Sequence, residues 1–144
     1  MTIVKFYSPE YDAPDKLTYS VIAGKHKGKW IFVRHHKRNT FEIAGGHIEV
    51  GETASDAAKR EFHEETGAVS FNIECIATYS VAKDGHTGWG RFYFAEVESF
   101  GQIPDMSEIA EVKLLDHMPE KLTHPDIQPH LFGFVSDYLN NKIL

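Results

Sequence analysis

Three glutamates crowd the last turns of a predicted helix: Glu61, Glu64 and Glu65. At about 100° per residue they fall within an arc of roughly 100° on that helix. They border an apolar stripe made of Ala54, Ala58 and Phe62. Like charges three or four residues apart repel, and the helix dipole adds to a penalty of about 1 kcal/mol. A solvated acidic face leaves that penalty unexplained, whereas carboxylates on one rigid face suit a hard divalent cation, with Mg²⁺ the first choice.

Two further charged residues flank this cluster. Glu52 precedes the helix, where the positive end of the dipole favours a carboxylate. Arg60 lies about 100° around the helix from Glu61. It could reach a backbone carbonyl or a neighbouring carboxylate and so fix the cluster, or it could form a surface salt bridge that contributes little. The charge pattern alone leaves both interpretations of Arg60 open.

The elements that position these residues follow from local sequence patterns. A helix is predicted over 53–66, because the segment lacks proline and internal glycine and Gly67 follows as a terminator. Apolar residues at helical spacing predict a second, amphipathic helix from Gln128 to about Lys142. Strands are predicted over 3–7, 17–23, 30–36, 40–44, 69–82, 89–100 and 109–116. Strands on both sides of a central helix favour an α/β fold, a three-layer α/β/α sandwich with a mixed β-sheet between helices.

Length and composition limit the class of protein. The 144 residues suit a single domain over 1–144. A net charge of −6 argues against coating nucleic acid or an anionic membrane, although divalent cations could still bring in a phosphorylated ligand. The lone Cys75 excludes an internal disulfide and favours a reducing setting. With no signal-peptide pattern and no apolar run of about 20 residues, we expect a soluble cytoplasmic protein.

The segment from Gly46 to Ala68 resembles the Nudix box. It reads Gly, five residues, Glu52, seven residues and then REFHEETGA, which matches every fixed position of G-x5-E-x7-R-E-U-x-E-E-x-G-U, where U is apolar. One departure precedes the box, where many Nudix proteins have proline and this chain has Ala44. The resemblance implies an α/β/α sandwich with the box as loop–helix–loop. It also implies a hydrolase acting on acid anhydrides, which cleaves a nucleoside diphosphate linked to another group, X.

The resemblance also assigns roles to individual residues. The metal ligands would be the carboxylates of Glu61, Glu64 and Glu65 together with the backbone carbonyl of Gly45. Glu52 and Arg60 would orient that cluster, and the cofactor would be Mg²⁺, with Mn²⁺ able to replace it. Glu61 is our first choice for the catalytic base, and Glu108 and Glu111 are alternatives outside the box. Because Nudix relatives are often dimers, a homodimer is one expectation.

Candidate substrate contacts lie outside the glutamate cluster, and each has a simpler explanation. The basic run 34–38 precedes the box and could meet phosphates, or it could be an ordinary polar loop end. The individual candidates are Arg34, His36, His47 and Glu111. Base-stacking platforms could come from Trp30, Phe41, Tyr79 and Trp89, although aromatic residues in strands more often belong to the core. The nine histidines show no H-x-x-x-H spacing, so no zinc site is predicted.

The expected substrate follows from features that other Nudix subfamilies carry. After the box, the chain lacks three such features at the expected positions. They are the proline of ADP-ribose hydrolases, the tyrosine of dinucleoside-polyphosphate hydrolases and the SQPWPFPxS sequence of NADH-type hydrolases. The phrase GKWIFVRHH is similar to the corresponding segment of bacterial oxidised-nucleotide pyrophosphatases. We therefore expect cleavage of a nucleoside triphosphate such as 8-oxo-dGTP to the monophosphate and pyrophosphate. The alternatives are a nucleotide sugar, ADP-ribose or an RNA 5′ end as substrate, or a non-catalytic nucleotide-binding module, which would be expected to lose some of the glutamates.

Overall fold

Strands precede and follow a central helix, and a second helix ends the chain, in the order that the sequence pattern predicts. The computed structural model describes residues 1–143. Its strands are β1 (Thr2–Tyr7), β2 (Leu17–His26), β3 (Lys29–His35), β4 (Ala44–His47), β5 (Ala68–Lys83), β6 (His86–Phe100) and β7 (Ile109–Leu115). Its helices are α1 (Ala54–Thr66) and α2 (Gln128–Ile143). Among the described residues, no helix has the length and apolar character needed to cross a membrane.

The strands form one mixed sheet. Its order is β1-β5-β6-β2-β3-β7, with β4 paired to β2. The β2–β6 pair is parallel, while β5 and β6 form an antiparallel hairpin around a turn at Asp84-Gly85. The hairpin pairs β5 with β6, which are neighbours in sequence. The β2–β6 pair joins the two halves of the chain.

Alternate side chains of the sheet face the two helices. On β6, Phe92 and Phe94 belong to the core cluster that contains Leu131 and Val135 of α2. Between them, Tyr93 belongs with Ala95 to a second cluster that contains Ala58 and Phe62 of α1. This alternation is the period of a strand with both faces covered. The predicted α/β/α sandwich with a mixed sheet is confirmed.

The strand predicted over 40–44 lies further along the chain than expected. The regular strand is β4, and Phe41 and Glu42 make only isolated bridges to Leu122 and Val33. The two glycines therefore belong to the strand and do not end it, because Gly45 and Gly46 pair with β2. Glycine inside a strand often marks a place where another group approaches closely.

The ends of α1 match the sequence prediction. Thr53 is the N-cap and exchanges hydrogen bonds with Asp56 in a capping box. Gly67 ends the helix in the left-handed region, with φ of 77°. Ala58 and Phe62 are completely buried, and Ala57 joins them, whereas Ala54 is only partly buried. The buried side of α1 is thereby fixed against the sheet, and so is the direction in which its glutamates point.

Candidate active site

Glu61 lies directly against the backbone of β4. A Cβ atom built on Gly46 would lie 2.5 Å from Cδ of Glu61 and would also overlap its Oε1 atom. Glycine at this position therefore leaves the space that the carboxylate fills. The strand backbone at Gly46 therefore lies directly against Glu61, near the C-terminal end of α1.

Replacing Gly46 with alanine is expected to push the Glu61 carboxylate aside by about an ångström. A displacement of that size can lower turnover about 100-fold. Steady-state kinetics and thermal unfolding of Gly46→Ala should show lost activity in a folded protein. The control is Gly133→Ala, because a Cβ at Gly133 meets no atom within 4 Å. Full activity of Gly46→Ala would show that the position of Glu61 does not matter.

Arg60 lies at the centre of the carboxylate cluster. Its Nε donates to Oε2 of Glu52 at 2.6 Å, and its Nη1 donates to Oε1 of Glu61 at 2.9 Å. The same Nη1 is 3.5 Å from Oε2 of Glu64, and Nη2 donates to the carbonyl of His47 at 3.1 Å. Both contacts considered from the sequence, a carbonyl and neighbouring carboxylates, are thus present. Arg60 ties α1 to β4 and to the loop that carries Glu52.

These contacts shift the pKa values of both partners in the strongest pair. The hydrogen bond from Arg60, aided by one from the backbone of Glu49, lowers the pKa of Glu52 to about 2. The hydrogen bond to Glu52 likewise raises the pKa of Arg60 above its usual range. Both groups are therefore charged near neutral pH, and the ion pair is present there.

Glu65 is the most buried of the three glutamates, with 7% of the residue exposed. The backbone N–H of Gly45 donates to its Oε1 at 2.9 Å. Burial nevertheless raises the pKa of Glu65 to about 8, and the charges of Glu61, Glu42 and Glu108 act in the same direction. Burial also raises the pKa of Glu61, although Arg60 opposes that shift. A cation bound beside Glu61 and Glu65 would offset the free-energy cost of ionising both carboxylates.

The donor set fits a hard divalent cation. In residues 1–142 no group of three or more His, Cys, Asp or Glu side chains already stands in a metal-binding arrangement. However, one cationic nitrogen, Nη1 of Arg60, already contacts the carboxylates of Glu61 and Glu64. The carboxylates thus converge on a single positive charge, and oxygen atoms of this kind are the ligands that Mg²⁺ prefers. The residues that could hold Mg²⁺ are Glu61, Glu64 and Glu65, next to the backbone of Gly45.

His35 brings together carboxylates from distant parts of the chain. Its Nε2 lies 3.6 Å from Oε2 of Glu65 and 3.8 Å from Oε2 of Glu42. Its Nδ1 lies 3.6 Å from Oε2 of Glu108. Glu108, one of the proposed alternative bases, therefore lies on the Glu65 side of the cluster. Glu42 was not selected from the sequence, because its approach depends on a loop that folds back so that Glu42 pairs with Val33.

The candidate substrate residues do not all lie in one place. Arg34 donates from Nε to Oε1 of Glu111 at 3.1 Å and from Nη1 to the carbonyl of Arg38. Glu111 is thus engaged by an arginine on the neighbouring strand. His36 is exposed in the loop after β3, and His47 is exposed at the end of β4. Of the four candidates, the structure joins only His47 to the glutamate cluster, through its carbonyl and Arg60.

The sequence family follows from a comparison over most of the chain. The family model described as NUDIX domain matches residues 16–135. The chain belongs to the Nudix family. This confirms the family that the box predicted.

Individual relatives give a narrower comparison. The chain is 33% identical to the Bacillus subtilis protein YtkD, provisionally named an 8-oxo-dGTP diphosphatase, over 67% of this chain. The match spans 60% of the length of that relative. The Bacillus subtilis pyrophosphohydrolase BsRppH, solved as a glutamate-to-alanine variant, superposes with a TM-score of 0.76 and 25% identity, covering 94% of this chain and 90% of its own. A UDP-X diphosphatase shares the Nudix fold, with a TM-score of 0.65, 19% identity and coverage of 88% and 66%.

The aromatic residues proposed as stacking platforms lie instead in the core of this Nudix fold. Trp30, Phe41, Tyr79 and Trp89 are each between 5% and 8% exposed. The stacking interpretation is therefore wrong for these four, and the core explanation holds. Tyr19, which is 38% exposed, was not among the aromatic residues selected from the sequence.

Proposed function

We propose that the chain is a Mg²⁺-dependent pyrophosphohydrolase that cleaves a nucleoside triphosphate, such as 8-oxo-dGTP, to the monophosphate and pyrophosphate. The observation that carries this proposal is the grouping of the box glutamates: Glu52, Glu61 and Glu64 contact Arg60, and Glu65 accepts from the backbone N–H of Gly45. We also propose an intracellular, reducing setting, because the lone Cys75 cannot form an internal disulfide.

In this proposal Glu61, Glu64 and Glu65 would hold Mg²⁺. Bound Mg²⁺ would offset the charge of the diphosphate oxygens and make water more acidic. The guanidinium of Arg60 keeps the carboxylates in place through its contacts with Glu52 and the His47 carbonyl. Because these supports lie on a helix, a strand and a hydrogen-bonded loop, little reorganisation is needed during the reaction.

Glu61 is the proposed general base. Water attacks one phosphorus atom in line, the bridging P–O bond breaks, pyrophosphate leaves and Glu61 accepts the proton. Its side chain is 16% exposed, so a water molecule can approach while the surroundings remain partly desolvated. In the metal-free protein burial raises the pKa of Glu61, and the hydrogen bond from Arg60 opposes that shift.

Support for the substrate comes from the B. subtilis relative provisionally named an 8-oxo-dGTP diphosphatase. A pyrophosphohydrolase and a UDP-X diphosphatase share the fold, so the nucleotide sugar, ADP-ribose and RNA 5′-end alternatives remain part of the test. The intact glutamate set supports an enzyme over a non-catalytic module.

The proposal is tested by measuring phosphate and pyrophosphate release from a panel of substrates with Mg²⁺. The panel contains 8-oxo-dGTP, dGTP, a UDP-sugar, ADP-ribose and a 5′-triphosphorylated RNA oligonucleotide. We expect the highest kcat/KM with 8-oxo-dGTP and no turnover in chelator. If another compound of the panel gives a higher kcat/KM, that compound replaces 8-oxo-dGTP as the proposed substrate. If no compound of the panel is cleaved, the enzymatic function is rejected.

A further inference from the structure

His35 lies beside the most buried glutamate of the candidate active site. It is the last residue of β3, its side chain is 20% exposed, and its Nε2 is 3.6 Å from Oε2 of Glu65. The other oxygen of that carboxylate, Oε1, accepts from the backbone N–H of Gly45. The two oxygens of Glu65 thus face different strands, Oε1 towards β4 and Oε2 towards β3. Groups on these two strands can together fix the direction of the carboxylate.

Glu42 is the other carboxylate near Nε2 of His35, and it already has a partner. Its Oε2 is 3.8 Å from Nε2, and the same oxygen accepts from Nη1 of Arg38 at 3.1 Å. Among the side chains of residues 1–142, no arginine or lysine pairs with Glu65, so Nε2 of His35 is the nitrogen that faces it. We therefore assign Nε2 to Glu65 and not to Glu42.

The second ring nitrogen of His35 faces a carboxylate from another part of the chain. Its Nδ1 is 3.6 Å from Oε2 of Glu108, the residue before β7. A β-bulge brings Glu108 there, because the register of β3 with β7 shifts by one residue next to His35. Bulges re-aim side chains and are common beside active sites. The backbone N–H of His36 also donates to the carbonyl of Glu108 at 3.0 Å, so the bulge is held in place.

An imidazole with a different partner at each nitrogen has its ring plane fixed from both sides. The carboxylate of Glu108 faces Nδ1, and this leaves Nε2 pointing at Glu65. Both distances are slightly longer than a hydrogen bond, so a small rotation of the ring or of a carboxylate completes each contact. Groups that orient a metal ligand in this way typically change metal affinity or activity about 10- to 100-fold when they are removed.

We propose that His35 is a positioning residue, which links Glu108 to Glu65 and fixes the direction of the Glu65 carboxylate. This inference rests on the proposed function, because Glu65 is a metal ligand within that proposal. His35 acts through Glu65 and is not itself a ligand of the metal or of the substrate.

The first test is the affinity of the metal-free protein for Mn²⁺, titrated by electron paramagnetic resonance. His35→Leu removes both ring nitrogens at similar size and should weaken binding about 10-fold. His35→Gln can place an amide N–H near the position of Nε2 and should recover most of the affinity. His26→Leu is the matched control, because His26 is also a half-buried strand histidine, and its Nδ1 contacts the carbonyl of Val97.

A double-variant cycle shows whether His35 acts through Glu65. Glu65→Gln alone should weaken Mn²⁺ binding, and adding His35→Leu to it should weaken binding no further. Nitrogen NMR of the histidine rings in the metal-free protein tests the link to Glu108. In Glu108→Gln the Nδ1 signal of His35 should shift, while the ring signals of His26 should stay unchanged.

These measurements need no turnover, so failure to cleave any nucleotide would reject the hydrolase proposal and leave the role of His35 standing. Native affinity in His35→Leu, an equal loss in His35→Gln or His26→Leu, or a further loss in the double variant would overturn the inference. An unchanged Nδ1 signal in Glu108→Gln, or no Mn²⁺ uptake by the native chain, would overturn it as well. If His35→Leu does not fold, the NMR comparison decides, because it leaves His35 in place.

Discussion

Replacing Glu64 with glutamine should lower kcat about 1,000-fold without unfolding the protein, an effect typical of losing a key electrostatic group in an active site. The Glu64 side chain is 45% exposed, and its recorded contact is with Nη1 of Arg60 at 3.5 Å. The substitution keeps the shape of the side chain and removes its charge. The lost activity would therefore reflect the missing metal-binding carboxylate and not a packing defect.

Single-turnover and steady-state kinetics of Glu64→Gln measure this effect, with far-UV circular dichroism as the folding check. The matched control is Glu74→Gln, whose side chain is 41% exposed and pairs with Nζ of Lys142 at 2.7 Å. Glu74 is also a surface glutamate in a salt bridge, but it lies on β5 outside the cluster. A loss below 10-fold in Glu64→Gln, or an equal loss in Glu74→Gln, would contradict the assigned role.

Replacing Glu65 with glutamine should stabilise the metal-free protein at high pH while abolishing activity. Burial raises the pKa of Glu65 from 4.5 to about 8, so between these pH values the folded state holds a proton that the unfolded state has released. The unfolded state then binds fewer protons, and the free energy of unfolding falls as pH rises from 4.5 to about 8. Glutamine removes this ionisation and can still accept from the Gly45 N–H. Near pH 9 the gain should amount to a few kcal/mol.

Urea unfolding in chelator near pH 6 and near pH 9 measures the difference between native protein and Glu65→Gln. The native chain should lose stability between the two conditions by more than the variant does. Glu61 titrates in the same direction, so the comparison is made between the two proteins and not within one. Glu74→Gln should follow the native pH dependence. Parallel pH profiles for the native chain and Glu65→Gln would contradict the description of Glu65 as a buried, destabilised carboxylate.

The features that depend on local spacing could be predicted from the sequence. The C-terminal end and the glutamate face of α1 follow from Gly67 and the three- and four-residue spacing of Glu61, Glu64 and Glu65. The mixed sheet followed from the order of strands and helices. These predictions held because helix geometry and capping act over a few residues.

Features that depend on distant parts of the chain could not be predicted in the same way. His35 meets Glu42, Glu65 and Glu108 only after three separate segments have packed together. The pairing of Arg34 with Glu111 likewise depends on the register of β3 with β7. The strand predicted over 40–44 stopped short of Gly45 and Gly46, since nothing local indicated that Glu61 would pack on Gly46.

The most direct test of the central claim is the uptake of Mn²⁺, a paramagnetic substitute for Mg²⁺, measured by electron paramagnetic resonance on the metal-free protein. The native chain and Glu74→Gln should bind Mn²⁺ in the same way, and added Mg²⁺ should displace it. A protein carrying both Glu61→Gln and Glu64→Gln should lose this uptake while remaining folded. Equal Mn²⁺ uptake by the native chain and the double variant would contradict the claim that these glutamates form the metal-binding face of a Nudix enzyme.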